Sequence, residues 1–245
     1  MQTFRERFSV HSYEVDAFGL LALPALAGFL SESAGLHAAA LGAGIGALQA
    51  QGLTWVLARH RIELAAPIRL GDEIEVETWP SGVDRLAALR DFVVRGADGA
   101  DLARSITQWF VLDVATRRAV RPEVILPPER FVEAPHATQF APGRLPALER
   151  WEHEERFRVR YADIDVNLHV NHVSYLDWAI EAMSREVWQG SRLAALEVHY
   201  LSECLHGSAV LSRLARTGDG AYAHAIVREE DGKELARVAT SWVAR

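Results

Sequence analysis

The feature that most constrains this chain is an internal duplication. Residues 224–242, His-Ala-Ile-Val-Arg-Glu-Glu-Asp-Gly-Lys-Glu-Leu-Ala-Arg-Val-Ala-Thr-Ser-Trp, align without gaps on residues 91–109, Asp-Phe-Val-Val-Arg-Gly-Ala-Asp-Gly-Ala-Asp-Leu-Ala-Arg-Ser-Ile-Thr-Gln-Trp, at an offset of 133. The identities include Val, Arg, Asp-Gly, Leu-Ala-Arg, Thr and Trp. Near the start of each half Asp16 matches Asp165 at an offset of 149. The offset shrinks because the first half carries a longer connection between helix and sheet. A chain of 245 residues built this way is two copies of one unit, each of ordinary domain size.

The pattern within a copy predicts its class. In the first half, Phe8 to Tyr13 reads as a short strand. The apolar stretch from Gly19 to Leu41 reads as a helix that starts near Leu23, with Pro24 in its first turn and Leu23, Leu26, Leu30 and Ala34 as its buried stripe. Leu41 to Gly46 breaks the helix and is expected to be a flexible connection; it lacks the glycine spacing of a nucleotide loop. Strand signals follow at Trp55–Leu57 and His60–Leu64. Ile74, Val76 and Thr78 then alternate with Glu73, Glu75 and Glu77, as in a half-buried strand. Arg90–Arg95 and Ser105–Val114 are two more, joined by an Asp98-Gly99 turn. One helix and several antiparallel strands per copy make an α+β fold. Six of the nine prolines fall between Ala119 and Pro146, which marks a linker. The expected organisation is residues 1–120, a Pro-rich linker over 121–150, and residues 151–245.

Composition removes several functions. A formal charge of −7 argues against nucleic acid as the default partner. Cys204 is the single cysteine, so there is no intrachain disulfide and no Cys-rich metal site. No window is apolar enough to span a membrane, and Met1-Gln-Thr-Phe-Arg-Glu-Arg7 shows no apolar signal core, so the expected location is cytoplasmic.

Where the copies differ, chemistry is expected. In the second, Asp163, Asp165, Asn167 and His169 alternate with Ile164, Val166 and Leu168. That pattern predicts an extended segment with a carboxylate, a carboxamide and an imidazole on one side. Asn171 is a candidate N-cap for the helix that follows, whose stripe is Val173, Leu176, Ile180, Met183 and Val187. In the first copy Phe18 and Leu20 stand where Asn167 and His169 stand in the second, so only the second can use the triplet. Asp and Asn before a helix are usually turn formers and caps, and that reading stands beside the catalytic one. The run begins like a calcium loop, but Leu168 and Ser174 occupy the positions that need Gly and Glu. His169 and His172 lack a marked third zinc ligand. No metal and no cofactor are expected.

These residues resemble the acyl-acyl-carrier-protein thioesterases, a family with a tandem hotdog fold. Ala34-Gly-Leu-His37, Trp55-Val-Leu-Ala-Arg59, Gly71–Trp79 and Trp109 look like its recurrent segments. Asp165-Val-Asn-Leu-His-Val-Asn171 with Tyr175, and Glu203-Cys204, match its active-site motifs. The resemblance implies that the first half holds the acyl chain and the second hydrolyses the thioester, with Asp165, Asn167, His169, Glu203 and Cys204 as site residues. It implies acyl carrier protein, bearing a phosphopantetheine-linked acyl chain, as partner, and a role in fatty acid biosynthesis. Leu168 stands where plant members usually have glutamine, and its side chain is expected to point away from the triplet.

Two mechanisms fit. Cys204 could be the nucleophile with His169 and Asn167. Alternatively, Glu203 and Asp165 could activate water directly. The second is preferred, because a lone Cys in an apolar strand is usually packing, whereas an inward-facing Glu is costly to bury without a task. Neighbouring residues face opposite sides of a strand, so both reach one pocket only at a bulge or strand end. Backbone amides at the start of the following helix are candidate oxyanion donors. Arg59, Arg61, Arg69, Arg158 and Arg160 are candidates for meeting an acidic carrier. Other readings are an acyl-CoA thioesterase and a non-catalytic acyl-binding module. Monomer and homodimer are both compatible with the sequence.

Overall fold

The computed structural model describes residues 3–245; Met1 and Gln2, the first residues of the stretch read for a signal core, lie outside that range. The chain divides into two compact units, residues 1–139 and 140–245.

In the first unit the strands are β1 (Phe4–Ser9), β2 (Leu53–Leu64), β3 (Glu73–Asp84), β4 (Ala87–Gly96), β5 (Asp101–Asp113) and the two-residue β6 (Ala119–Val120). The helices are α1 (Leu23–Ala40) and the short α2 (Ile45–Gln49). The sheet runs β1-β3-β4-β5-β2, all antiparallel, with β6 on β5. The second unit repeats this plan with β7 (His153–Arg158), α3 (His172–Glu181), α4 (Arg185–Gly190), β8 (Ser191–Tyr200), β9 (Ala209–Gly218), β10 (Ala221–Arg228) and β11 (Glu234–Ala244). Its order is β7-β9-β10-β11-β8, the same connectivity with the same strand at each place. Two such α+β units are what a tandem hotdog requires.

Side-chain contacts repeat too. The Trp109 indole donates to Thr107 Oγ1 at 2.9 Å, and Trp242 donates to Thr240 Oγ1 at 3.1 Å. The gapless alignment nevertheless slips. Arg90 faces Thr107, but Tyr222 faces Thr240. The offset of 133 therefore holds for β5 and β11 and is one less for β4 and β10. The extra residue sits in the second hairpin, where Gly232 N–H bonds the carbonyl four residues back and Gly99 N–H bonds three back. His224 thus occupies the place of Phe92, not Asp91.

In α1, Pro24 is in the first turn and Leu23, Leu26, Leu30 and Ala34 are buried, as expected, together with Ser33 and His37. Phe8 stacks on Phe29 and Phe4 on His37, so this face of the sheet meets α1. The first strand lies earlier than predicted, over Phe4–Ser9, because Glu14 accepts from His11 and turns the chain there. The segments at 55–57 and 60–64 are one strand bent by a bulge between Leu57 and Arg59. In the second unit α3 stops at Glu181, and Val187 belongs to α4, so the long stripe is broken. The face α3 buries is Ser174, Tyr175, Leu176, Trp178 and Ala179.

The proline-rich stretch is tied down on both sides. Ile125 and Leu126 join a small core with Leu48, Leu53 and Val111. His136 and the Ala137 amide both bond the buried Asp91 carboxylate. Within the second unit, Ala141 N–H bonds Glu197 and Leu145 N–H bonds His199, two buried side chains that also bond each other at 2.8 Å.

Candidate active site

The site is assembled where β7 leads toward α3. Arg160 is fastened to Asp163 by its backbone amide, Nε and Nη2, across the short 3-10 turn Tyr161–Asp163. Burial would raise the Asp163 pKa, but the hydrogen bonds from Arg160 outweigh it and hold the carboxyl below its ordinary value. Arg160 is thereby fastened to the loop, with its side chain 69% exposed.

The residues after Asp163 do not run extended. Ile164 bridges Val170, and the segment between them is a tight turn. Asp165 Oδ1 accepts the Asn167 amide at 2.8 Å and the His169 amide at 3.4 Å. Asp165 N–H donates to His169 O at 2.9 Å, and Leu168 N–H donates to Asp165 O at 3.0 Å. Leu168 closes the turn in the left-handed region, at φ 64°. The alternation misled because it requires Val166 and Leu168 to pack, whereas they are 87% and 76% exposed. A side-chain acceptor at Asp165 gives the backbone a local alternative to the strand. The first unit makes the same turn: Asp16 Oδ1 accepts the amides of Phe18 and Leu20, and Gly19 has φ 71°.

This turn is stitched to the segment after β8. Val170 N–H donates to Cys204 O at 3.0 Å, and the Cys204 amide bonds the Tyr175 hydroxyl oxygen. Burial, with the nearby Cys204, Glu203 and Asp165, pushes the Tyr175 phenol well up, so it stays protonated. β8 ends at Tyr200, so Glu203 and Cys204 lie past a strand end. Their side chains diverge. His169 Nε2 is 3.6 Å from Glu203 Oε2. The Cys204 side chain is fully buried, and its sulfur is hydrogen-bonded by Ser208 and by the Leu205 backbone amide. Burial pushes that thiol up. Glu203 is not buried as the sequence suggested; its side chain is 45% exposed.

The five expected residues therefore sort into a group and an outlier. Asp165, Asn167, His169 and Glu203 share one turn and its neighbour, with Asn167 Nδ2 3.5 Å from Asp165 Oδ2. The Cys204 backbone belongs to that assembly, while its thiol contacts Ser208 and Leu205. Three amides at the start of the helix are occupied: Asn171 N–H bonds Asp163 O, Val173 N–H bonds Asn171 Oδ1, and Ser174 N–H bonds Asn171 O. Asn171 is the N-cap, as predicted. Of the remaining arginines, Arg59, Arg61 and Arg69 belong to the first unit, and Arg61 pairs with Glu63 at 2.6 Å. Two features of the site were missed in the sequence. Arg160 stands three residues before Asp163, the spacing of a reciprocal cap. Tyr200, whose hydroxyl donates to His172 O and whose ring meets Tyr175 edge-on, had no such signal.

A separate cleft at the end of β8 is lined by Arg144, His199, Glu234 and Arg237 and holds none of the five; Arg237 is paired with Glu234 there. Among the described residues no group of three His, Cys, Asp or Glu is placed to hold a metal, and no helix is long and apolar enough to cross a membrane.

Comparison with known proteins follows the same two units. The profile of the acyl-ACP thioesterase N-terminal domain matches residues 1–126, and that of the C-terminal domain matches residues 148–244. A chloroplastic palmitoyl-acyl carrier protein thioesterase of Cuphea hookeriana is 29% identical over 259 residues, covering 98% of this chain and 62% of that protein. A chloroplastic oleoyl-acyl carrier protein thioesterase of Arabidopsis thaliana is 27% identical, covering 98% and 76%. The chain thus spans about 62% of the length of the first relative. Among solved structures, the 12:0-ACP thioesterase from Umbellularia californica superposes with a TM-score of 0.89 at 24% identity, over 99% of this chain and 98% of that one. An acyl-ACP thioesterase from Bacteroides thetaiotaomicron gives 0.86 at 24%, over 98% of each. These likenesses carry the tandem hotdog fold, and the profile matches over both units carry the family: the chain belongs to the acyl-ACP thioesterases.

Proposed function

We propose that this protein hydrolyses the thioester of fatty acyl-acyl carrier protein, releasing free fatty acid and carrier thiol. Residues 1–120 then house the acyl chain, residues 121–150 link the copies, and residues 151–245 carry out the chemistry. The observation that carries this reading is the approach of His169 to Glu203 over the Asp165 turn, in a chain whose two halves match the two domains of that family.

The chemistry assigns a task to each group. Glu203 takes a proton from water while His169 holds its carboxylate and the water in line. The water oxygen bonds the thioester carbon, and the carbonyl oxygen becomes an oxyanion that the Asn167 carboxamide stabilises. Collapse breaks the C–S bond. The sulfur departs with the pair of electrons and recovers the proton from Glu203; a thiol of pKa ~8.5 needs little acid assistance. Asp165 holds Asn167 and His169 in register through the turn. Cys204 contributes its backbone, because a buried thiol with a raised pKa supplies little thiolate.

The test is hydrolysis by the purified protein of one acyl group carried on acyl carrier protein and on CoA, with free thiol as readout. Release from the carrier protein at higher kcat/KM than from CoA supports the proposal. The reverse order makes the protein an acyl-CoA thioesterase, and no release from either leaves only an acyl-binding module.

A further inference from the structure

The fold accounts for the backbone conformation at position 168 but not for the leucine that adopts it. It holds φ 64° at the place where the matching turn of the first unit uses Gly19 at φ 71°. The two turns have the same backbone amides donating to an aspartate carboxylate, so the fold asks only for a residue at ease in the left-handed region. Glycine meets that need in the same chain. Leucine does not, since its Cβ crowds the following carbonyl. Nor does packing compensate, because the side chain is 76% exposed. Arg85 and Arg117, the other described non-glycine residues at positive φ, present charged side chains to water. A strained, exposed, apolar residue between Asn167 and His169 is a functional signature.

What passes that point follows from the chemistry. Consecutive Cα atoms are about 3.8 Å apart, so Leu168 lies within a few ångströms of both flanking site residues. With the thioester against Asn167 and His169, the exposed Leu168 and Val166 are the apolar side chains of the same turn that stand beside the substituent on its sulfur. In a carrier-linked or CoA-linked acyl group that substituent is the pantetheine arm. We infer that Leu168, with the exposed Val166 beside it, forms an apolar lip that holds the pantetheine arm and so positions the thioester; the inference rests on the hydrolase reading above.

The experiment compares wild type with L168N, L168G and L168M. Asparagine tolerates the left-handed region, so L168N removes the apolar side chain without adding strain. Each protein is melted and assayed with acyl-carrier protein, acyl-CoA and the acyl-N-acetylcysteamine thioester, which lacks most of the arm. L168N and L168G should melt at or above the wild-type temperature. Their KM for both pantetheine-bearing substrates should rise about tenfold with kcat within about twofold, L168M should stay near wild type, and the truncated thioester should be turned over equally by all. Unchanged KM in L168N and L168G overturns the inference. So does an equal loss on the truncated thioester, which would make Leu168 part of the site's geometry, and a loss confined to carrier protein, which would make it a protein contact. A wild type inactive on all three overturns both the inference and the hydrolase reading.

Discussion

His169 Nε2 lies 3.6 Å from Glu203 Oε2, while the thiol of the adjacent Cys204 is directed to Ser208 and Leu205. One step along the chain separates a group turned toward the imidazole from a buried one. The divergence follows from the strand end at Tyr200 and from the Cys204 backbone, whose carbonyl receives Val170 N–H and whose amide meets Tyr175. Cys204 therefore holds the turn in place with its main chain, a task that any side chain of similar size permits.

Burial of that thiol has a direct chemical consequence. An aromatic disulfide reagent should label Cys204 in the native protein at least about a hundredfold more slowly than in the unfolded chain, because thiolate and access are both scarce. Labelling at the unfolded rate would place the sulfur at the surface.

Asp16 and Asp165 close the same turn, but only the second has Asn167 and His169 beside it. D16A and D165A should each lower stability by about 1 kcal/mol, through loss of a side-chain acceptor to two amides. D165N keeps an acceptor oxygen and should keep most of that stability. Activity separates the sites: D16A should be near wild type, and D165A should lose at least tenfold in kcat. Denaturant titration and thiol release measure the two effects.

Acid should destabilise the fold through buried neutral histidines. Burial lowers the pKa of His224 from 6.5 to about 3, and burial together with Arg90 lowers that of His37 from 6.5 to about 4. Both folded values lie below the unfolded one. Below pH 6.5 the unfolded chain binds protons that the folded chain refuses, so stability is full above pH 6.5 and falls as pH drops toward 4 and then 3, at a rate approaching ~1.4 kcal/mol per pH unit for each group. H224F should flatten part of this slope, since Phe92 fills the corresponding place in the first unit. Urea midpoints between pH 4 and 8 measure it; equal slopes in the two proteins would contradict the assignment.

Arg90 is a buried cation under α1 whose partners, His37 Nδ1 at 3.1 Å and Thr78 Oγ1 at 3.2 Å, are neutral. Burial lowers its pKa to about 10. R90A should cost ~3–5 kcal/mol, because it leaves a cavity. R90M should cost at least ~2 kcal/mol less, because it fills the space and removes a charge whose desolvation is expensive. Comparable losses in the two variants, read from denaturant midpoints, would mean the guanidinium itself stabilises the unit.

Much of this architecture is legible in the chain because it is written twice. The Asp-Gly hairpin and the Pro24 helix start follow from local rules, and the aligned Thr and Trp of each copy mark strands that the structure pairs alike. The polar run at Asp163–His169 was less legible. Period two marks a strand only when the apolar residues are buried, and Val166 and Leu168 are not. Asp165 competes for the same amides, and the twin turn at Asp16 was the available clue. Opposite facing of Glu203 and Cys204 is the default for neighbours in a strand; that they lie past the end of β8 and still diverge is not legible, because it depends on where β8 ends and on the contacts of the Cys204 backbone.

The central claim is that the carboxylate beside the sole thiol, and not the thiol, drives hydrolysis. The most direct measurement is single-turnover hydrolysis of acyl-carrier protein by C204A and E203Q, each verified as folded by its melting profile. The account predicts that C204A stays within about fivefold of wild type and that E203Q falls by at least about a hundredfold. Near-complete loss in C204A, with E203Q close to wild type, would contradict it.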